Sequence, residues 1–173
     1  RTLLDERVEV ERHEPVLRPR AHRETLLLLS LLLAFQGEQE RAYQAALEGV
    51  ERGKLLSSHF ITPVGHMRQG HAWMVRKDAE AFQEASRHFQ EAIALSERLD
   101  VSRLKIEAFW GLCQAYGFQG DLAQARQVAE TGIGMAQAVG DEWVEACIRV
   151  SLGAGYTLAG RFSDAGPWVS RAG

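Results

Sequence analysis

Apolar side chains recur at helical spacing over much of the chain. Two stretches, residues 82–99 and 106–116, each place such side chains on one face of a helix. The first stripe comprises Phe82, Ala85, Phe89, Ala92, Ile93 and Leu99, and the second comprises Ile106, Phe109, Leu112, Cys113 and Tyr116. This spacing is typical of amphipathic helices, and no segment of the sequence shows the alternation expected of a strand. The pattern therefore predicts an all-α protein.

The helical pattern returns after 40 residues. The pairs that share this shift include Tyr116 and Tyr156, Gly120 and Gly160, and Ala125 and Ala165. Trp73 lies 43 residues before Tyr116, so one unit has three additional residues, which we place within Val75–Ala81. Several positions that share one shift predict an array of structural repeats.

Turn signals divide each repeat into two helices. Gly37, Gly120 and Gly160 stand where a first helix should end, in the left-handed conformation that glycine adopts easily. Asp121 and Asp141 stand where a side chain can cap the next helix. We predict one domain, an α-solenoid of antiparallel helix pairs. It would comprise a leading helix within residues 1–20 and repeats at about 21–57, 58–100, 101–140 and 141–173.

The composition excludes several classes of partner. With a net charge of −3, the chain has no bulk attraction to nucleic acid or to an anionic membrane. The run LLLLSLLLAF, Leu26–Phe35, is too short to span a bilayer and predicts a buried helix. Two isolated cysteines favour a reducing, cytoplasmic setting. Because the sequence opens with Arg1, we interpret it as a piece of a longer chain.

Motifs for catalysis or metal binding are weak. The stretch GVERGK, Gly49–Lys54, is one residue short of a phosphate loop and has no Ser or Thr after the lysine. His59, His66 and His71 are seven and five residues apart, which does not match the spacing of three or four typical of zinc ligands on a helix. His88 is interpreted as an ordinary surface residue. We expect neither enzyme activity nor a cofactor nor a metal site.

The repeat resembles a known family. The stretches LCQAYGFQGDLAQA and LGAGYTLAGRFSDA are similar to the tetratricopeptide repeat, with its series of large apolar, small, aromatic, glycine and alanine positions. The 40-residue period and phrases such as VGDEWVEA resemble the sensor arms of MalT-like bacterial transcription regulators, which are ATPases with a DNA-binding tail. The resemblance implies a regulatory arm that binds a small-molecule inducer or an inhibitory protein. The alternative is a tetratricopeptide scaffold from another multidomain protein, with a peptide in its groove.

Such a solenoid implies a candidate site. In a superhelix of helix pairs the first helices line the concave side, so residues in register on successive first helices should lie side by side. Aromatic and methionine side chains with polar neighbours in such a groove suit ligand capture. The predicted binding residues are Met67, His71, Met74, Arg103, Glu107, Trp110 and Gln114. We also expect end-to-end self-association through the last helix, which contains Trp168 and Val169.

Overall fold

The computed structural model describes residues 19–55, 58–99 and 101–170, with side chains from residue 25 onward. The leading helix expected near the N-terminus lies outside these residues. Within them all regular structure is α-helical, which confirms the predicted fold class. The helices are α1 (Pro19–Phe35), α2 (Gln39–Leu55), α3 (Ile61–Met74), α4 (Ala79–Arg98), α5 (Ser102–Gln119), α6 (Leu122–Val139), α7 (Glu142–Leu158) and α8 (Phe162–Val169).

The helices form an open stack with two different sides. Each helix packs on the next in sequence, and α1, α3, α5 and α7 also contact one another in succession. By contrast, α2, α4, α6 and α8 contact only their neighbours in sequence, and the first helix pair does not touch the last. The odd-numbered helices therefore lie on the inner, concave side of an α-solenoid.

Glycine and aspartate mark the helix ends as predicted. Gly37, Gly120 and Gly160 all have positive φ angles, between 73° and 88°. The carboxylate of Asp121 accepts a hydrogen bond from the backbone amide of Gln124, which starts α6. Asp141 caps α7 in the same way. At these turns local chemistry therefore helps to stop one helix or to begin the next.

The unit with three additional residues has the usual turn, at Lys77 and Asp78, but a longer second helix, α4. Lys77 lies 40 residues after Gly37 and takes the same left-handed conformation, with φ of 58°. Asp78 then caps α4 through the amide of Ala81. Since α4 has 20 residues and α2 and α6 have 17 and 18, the additional residues lengthen the helix by nearly one turn.

Small residues allow the helices to approach closely. Ala42, Ala85 and Ala125 are fully buried, as their shared register predicts. The fully buried ring of Phe89 on α4 lies between Gly70 on α3 and Gly111 on α5, where an added Cβ atom would come within 2.8 Å and 2.3 Å of the ring. One aromatic side chain from the outer layer thus packs between two inner helices.

Candidate recognition surface

The contact between α5 and α7 shows which residues join successive inner helices. The indole Nε1 of Trp110 donates a hydrogen bond of 3.0 Å to Ser151 Oγ. The ring of Trp110 also packs edge-on against Trp143, with centroids 5.7 Å apart. Further along, Gly117 and Gly155 bring the two backbones together. The Trp110 position therefore faces the next inner helix, and we call the line of contact between two inner helices the stacking seam.

The residues that occupy the Trp110 position in the two earlier repeats, Met67 and Leu27, are also covered in a stacking seam. Met67 on α3 is 1% exposed and packs in the core with Phe89 and Leu112. Leu27 on α1 is 3% exposed. The prediction that Met67 lines an accessible groove is therefore wrong, because at this position the side chain is covered by the following inner helix. Trp110 remains partly exposed, although its main contacts are those of the seam.

Two other predicted residues form an ion pair on the inner helices. The guanidinium of Arg103 is bonded to Glu107 at 3.0 Å and forms a second ion pair with Asp141 at the start of α7. Arg68 on α3, which the sequence analysis did not select, has a largely buried guanidinium. Its Nε atom has no hydrogen-bond partner among the described residues. Burial lowers the pKa of Arg68, and the negative charge of Glu107 opposes that shift.

The remaining three predicted residues line one pocket. This pocket has a volume of about 440 Å³ and lies at the C-terminal ends of α1, α3 and α5. Its lining comprises Ala34, Phe35, Gly37, His71, Met74, Val75, Lys77, Gln114 and Phe118. Two phenylalanines and a methionine provide apolar walls, and no carboxylate is among the lining residues. Register on α3 and α5 therefore brings His71 and Gln114 together, and Met74 lies three residues after His71 on α3.

His71 contributes a neutral ring to this pocket. Its imidazole packs edge-on against Phe89, with centroids 5.1 Å apart, and lies 6.0 Å from the Trp110 ring. Burial, with a smaller effect of the positive charge on Arg68, lowers the pKa of His71 to about 3. His71 is therefore uncharged near neutral pH, and Lys77 is the one formally charged side chain in the lining.

A pair of histidines lies elsewhere in the core. His66 Nδ1 on α3 is 3.2 Å from His88 Nδ1 on α4, a distance at which one ring donates a hydrogen bond to the other. His88 is 8% exposed, so its assignment as a surface residue was wrong. It faces α3 and α2, where Tyr43 packs edge-on against it. The sequence signal that could have placed it is its spacing from Ala85 and Ala92, three residues before and four residues after it in the buried stripe.

This histidine pair predicts sensitivity to acid. Burial, then the proximity of His66 and Arg87, lowers the pKa of His88 to about 4. The pKa of His66 is also lowered, chiefly by burial. Since the unfolded chain keeps the ordinary pKa of 6.5, it binds more protons than the folded protein below that pH, and stability is lost as the pH falls from 6.5 towards 4. We expect His88 to account for about 2–3 kcal/mol of this loss.

Urea unfolding at a series of pH values measures the effect. His88→Phe should reduce the slope of the dependence between pH 6.5 and pH 4.5, because the variant lacks the ring that takes up a proton on unfolding, whereas His71 keeps its own contribution. Phe82→Leu provides the control, since it removes buried apolar volume from the same helix but no titratable group, and it should leave the pH dependence unchanged. A free energy of unfolding in the wild-type protein that stays constant over this range would contradict the prediction.

The described residues provide few groups for catalysis or metal binding. They contain no cluster of three His, Cys, Asp or Glu side chains that could hold a metal ion. Cys113 is fully buried, which raises the pKa of its thiol to about 12 and makes it a poor nucleophile. Burial also raises the pKa of Cys147. None of the helices in the described part of the chain is both long enough and apolar enough to cross a membrane.

Comparison with known proteins supports the architecture. No protein-family model matches the sequence, and no curated protein matches it. The fold is similar to the crystal structure of BtubC (BKLC) from P. vanneervenii, with a TM-score of 0.67 and 20% sequence identity. The match covers 89% of this chain and 63% of that chain, so the protein spans less than two thirds of the BtubC structure. At this level of identity the similarity establishes a shared all-helical repeat fold and nothing about activity.

Proposed function

We propose that this protein is a recognition domain of the tetratricopeptide type, which binds its ligand on the concave side without catalysing a reaction. The observation that favours this function is the pocket at the ends of α1, α3 and α5. Its walls are Phe35, Phe118 and Met74, and its one formal charge is positive, at Lys77. Such a lining favours a ligand with an apolar body and one negative charge.

The wider concave side extends the proposed surface. Arg103, Glu107 and Trp143 project from α5 and α7, and two of these side chains are charged. Exposed aromatic and arginine side chains are enriched where proteins bind partners. A ligand larger than the pocket would therefore find polar groups for orientation further along the inner helices.

The proposal has two versions, which differ in the longer protein to which this domain belongs. The first is the sensor arm of a MalT-like regulator, in which a small anionic inducer fills the pocket. It is supported by the 40-residue period and by sequence stretches such as VGDEWVEA, which resemble the repeats of those regulators. The second is a scaffold that captures a peptide, with an apolar residue in the pocket and a carboxylate near Lys77. The chemistry of the ligand is the same in both.

A fluorescent probe with this chemistry tests the pocket. Anilinonaphthalene sulfonate has an apolar aromatic body and one negative charge, and its fluorescence rises on transfer from water to an apolar site. We expect it to bind the wild-type protein, and to bind about tenfold more weakly, or by ~1.4 kcal/mol, after Lys77→Glu. Lys54→Glu, an equal charge reversal at an exposed position at the end of α2, should leave its affinity unchanged.

Filling the pocket provides a second arm of the test. Gln114→Trp should displace the probe, whereas the proportion of helix measured by circular dichroism should not change. Competition by free small carboxylates would favour the sensor version, and competition only by peptides with an apolar residue next to a carboxylate would favour the scaffold. Equal affinity of the probe for wild type, Lys77→Glu and Gln114→Trp would show that the pocket is not the site.

A further inference from the structure

The pocket that carries the proposed function lies where three helices end. In an α-helix the backbone carbonyls point towards the C-terminus, so α1, α3 and α5 direct theirs towards the side of the stack on which the pocket lies. The carbonyls of Phe35, Met74 and Phe118 accept no hydrogen bond from any described residue. Since these three residues line the pocket, it offers backbone acceptors beside its apolar walls.

The helix ends also bring negative charge to the pocket. Each helix C-terminus carries the equivalent of about half a negative charge, so three of them outweigh the single positive charge of Lys77. A ligand with only a negative charge would be repelled by the helix ends, and a ligand with only a positive charge would be repelled by Lys77. The pocket is therefore best matched by a ligand that carries one charged group of each sign.

The backbone of Lys77 indicates that its side chain serves the ligand. Among the described residues Lys77 is the one non-glycine residue with a positive φ, and its register positions in the neighbouring repeats hold Gly37 and Gly120. A lysine in this conformation lowers stability relative to glycine, and strain of this kind is typical of functional sites. The neighbouring Arg76 is paired with Asp78, whereas Lys77 has no ion-pair partner in the described part of the chain. Its ammonium group is therefore free to bind an anionic group.

We propose that the ligand of this pocket is a free α-amino acid with an apolar side chain. The inference rests on the proposed function, since it names the class of ligand for the same pocket. The carboxylate of the amino acid pairs with Lys77, its ammonium group donates to the free carbonyls at the helix ends, and its side chain lies against Phe35 and Phe118. An α-amino acid carries both charges on one carbon and has no net charge near neutral pH. A pocket of about 440 Å³ is large enough to hold the whole molecule.

Isothermal titration calorimetry with three related compounds tests the class of ligand. L-phenylalanine has an aromatic ring, a carboxylate and an ammonium group, whereas 3-phenylpropanoate lacks the ammonium group and phenethylamine lacks the carboxylate. We expect the wild-type protein to bind L-phenylalanine, and to bind each of the other two about tenfold or more weakly. The reason is that each of them leaves either Lys77 or the helix-end carbonyls without a partner.

Lys77→Gly tests the role of the lysine with two measurements of opposite sign. The variant loses the positive charge, so it should bind L-phenylalanine about tenfold or more weakly than the wild type does. It also gains the residue that the left-handed conformation favours, so its midpoint of urea unfolding should rise. Lys77→Arg is the matched control, because it keeps both the charge and the backbone strain and should retain most of the affinity.

The outcomes separate this inference from the proposed function. Equal affinities for L-phenylalanine and 3-phenylpropanoate would overturn the amino-acid ligand and leave a pocket for apolar anions. Binding of anilinonaphthalene sulfonate without binding of L-phenylalanine would do the same. An affinity for L-phenylalanine that Lys77→Gly leaves unchanged would also overturn the inference, because the carboxylate would then not be bound by Lys77. If the wild-type protein binds neither the fluorescent probe nor L-phenylalanine, the proposed function and the inference both fail.

Discussion

Replacing Trp110 with alanine is expected to lower the free energy of unfolding by about 3 kcal/mol, because truncation of a packed tryptophan leaves a large cavity. The lost contacts join two repeats: the hydrogen bond to Ser151, the ring contact with Trp143 and the contact with His71. Ser151 also bonds the backbone carbonyl of Cys147 and so keeps one partner. The loss should therefore come mainly from packing, and urea unfolding followed by circular dichroism measures it.

Trp143 provides the matched control for this change. It belongs to the same cluster, but its side chain is largely exposed, so Trp143→Ala should cost less than about 1 kcal/mol. Equal stability losses in the two variants would contradict the assignment of Trp110 to the seam. A Trp110→Ala protein as stable as the wild type would restore the sequence-based view of this residue as a solvent-facing anchor.

Replacing Gly111 with alanine is expected to destabilise the protein by about 2 kcal/mol, as overpacking of a core does. In the interior of an ordinary helix the same change would stabilise by about 1 kcal/mol, so the prediction reverses the usual sign. The reason is Phe89, whose ring lies 2.3 Å from the position of the added Cβ atom. Since Phe89 is fully buried, with Gly70 on its other side, the ring has no free space to move into.

Two further variants isolate this contact. Gly134 lies in α6 with no atom within 4 Å of an added Cβ, so Gly134→Ala should show the ordinary stabilisation. Combining Gly111→Ala with Phe89→Leu should cost less than the sum of the two single changes, because the smaller side chain leaves room for the methyl group. Strict additivity in this cycle, measured by urea unfolding, would show that Gly111 and Phe89 do not compete for the same space.

The helices and their order could be predicted from the sequence because the signals are local. Each amphipathic stripe, each glycine at a helix end and each capping aspartate acts within a few residues, so Gly120 and Asp121 end one helix and start another without help from distant contacts. The repeat period also identified Ala42, Ala85 and Ala125 as buried positions, and the structure confirms them. The sequence analysis identified no left-handed residue at the turn that contains Lys77, because that residue is not a glycine.

The candidate site was predicted only in part. Register placed His71 beside Gln114, and both line one pocket together with Met74, which the sequence analysis selected without a register partner. The prediction that Met67 lines a groove was wrong. A shared register position indicates that residues on successive inner helices lie side by side, but it does not indicate whether they face solvent or the next helix. The contact of His88 with His66 and the proximity of Arg68 to Glu107 depend on side chains from different helices, for which the sequence contains no local signal.

The sequence by itself determined the all-helical repeat and the equivalence of positions between units, because both follow from periodicities within one helix or between copies of one unit. Only the tertiary structure decided which of those equivalent positions are covered. Leu27 and Val150 occupy the same register position, yet one is 3% exposed and the other 50%, because an inner helix packs against the first and none of the described helices packs against the second. Burial is a property of the neighbours that a residue meets in space, and those neighbours are set by how successive helices cross.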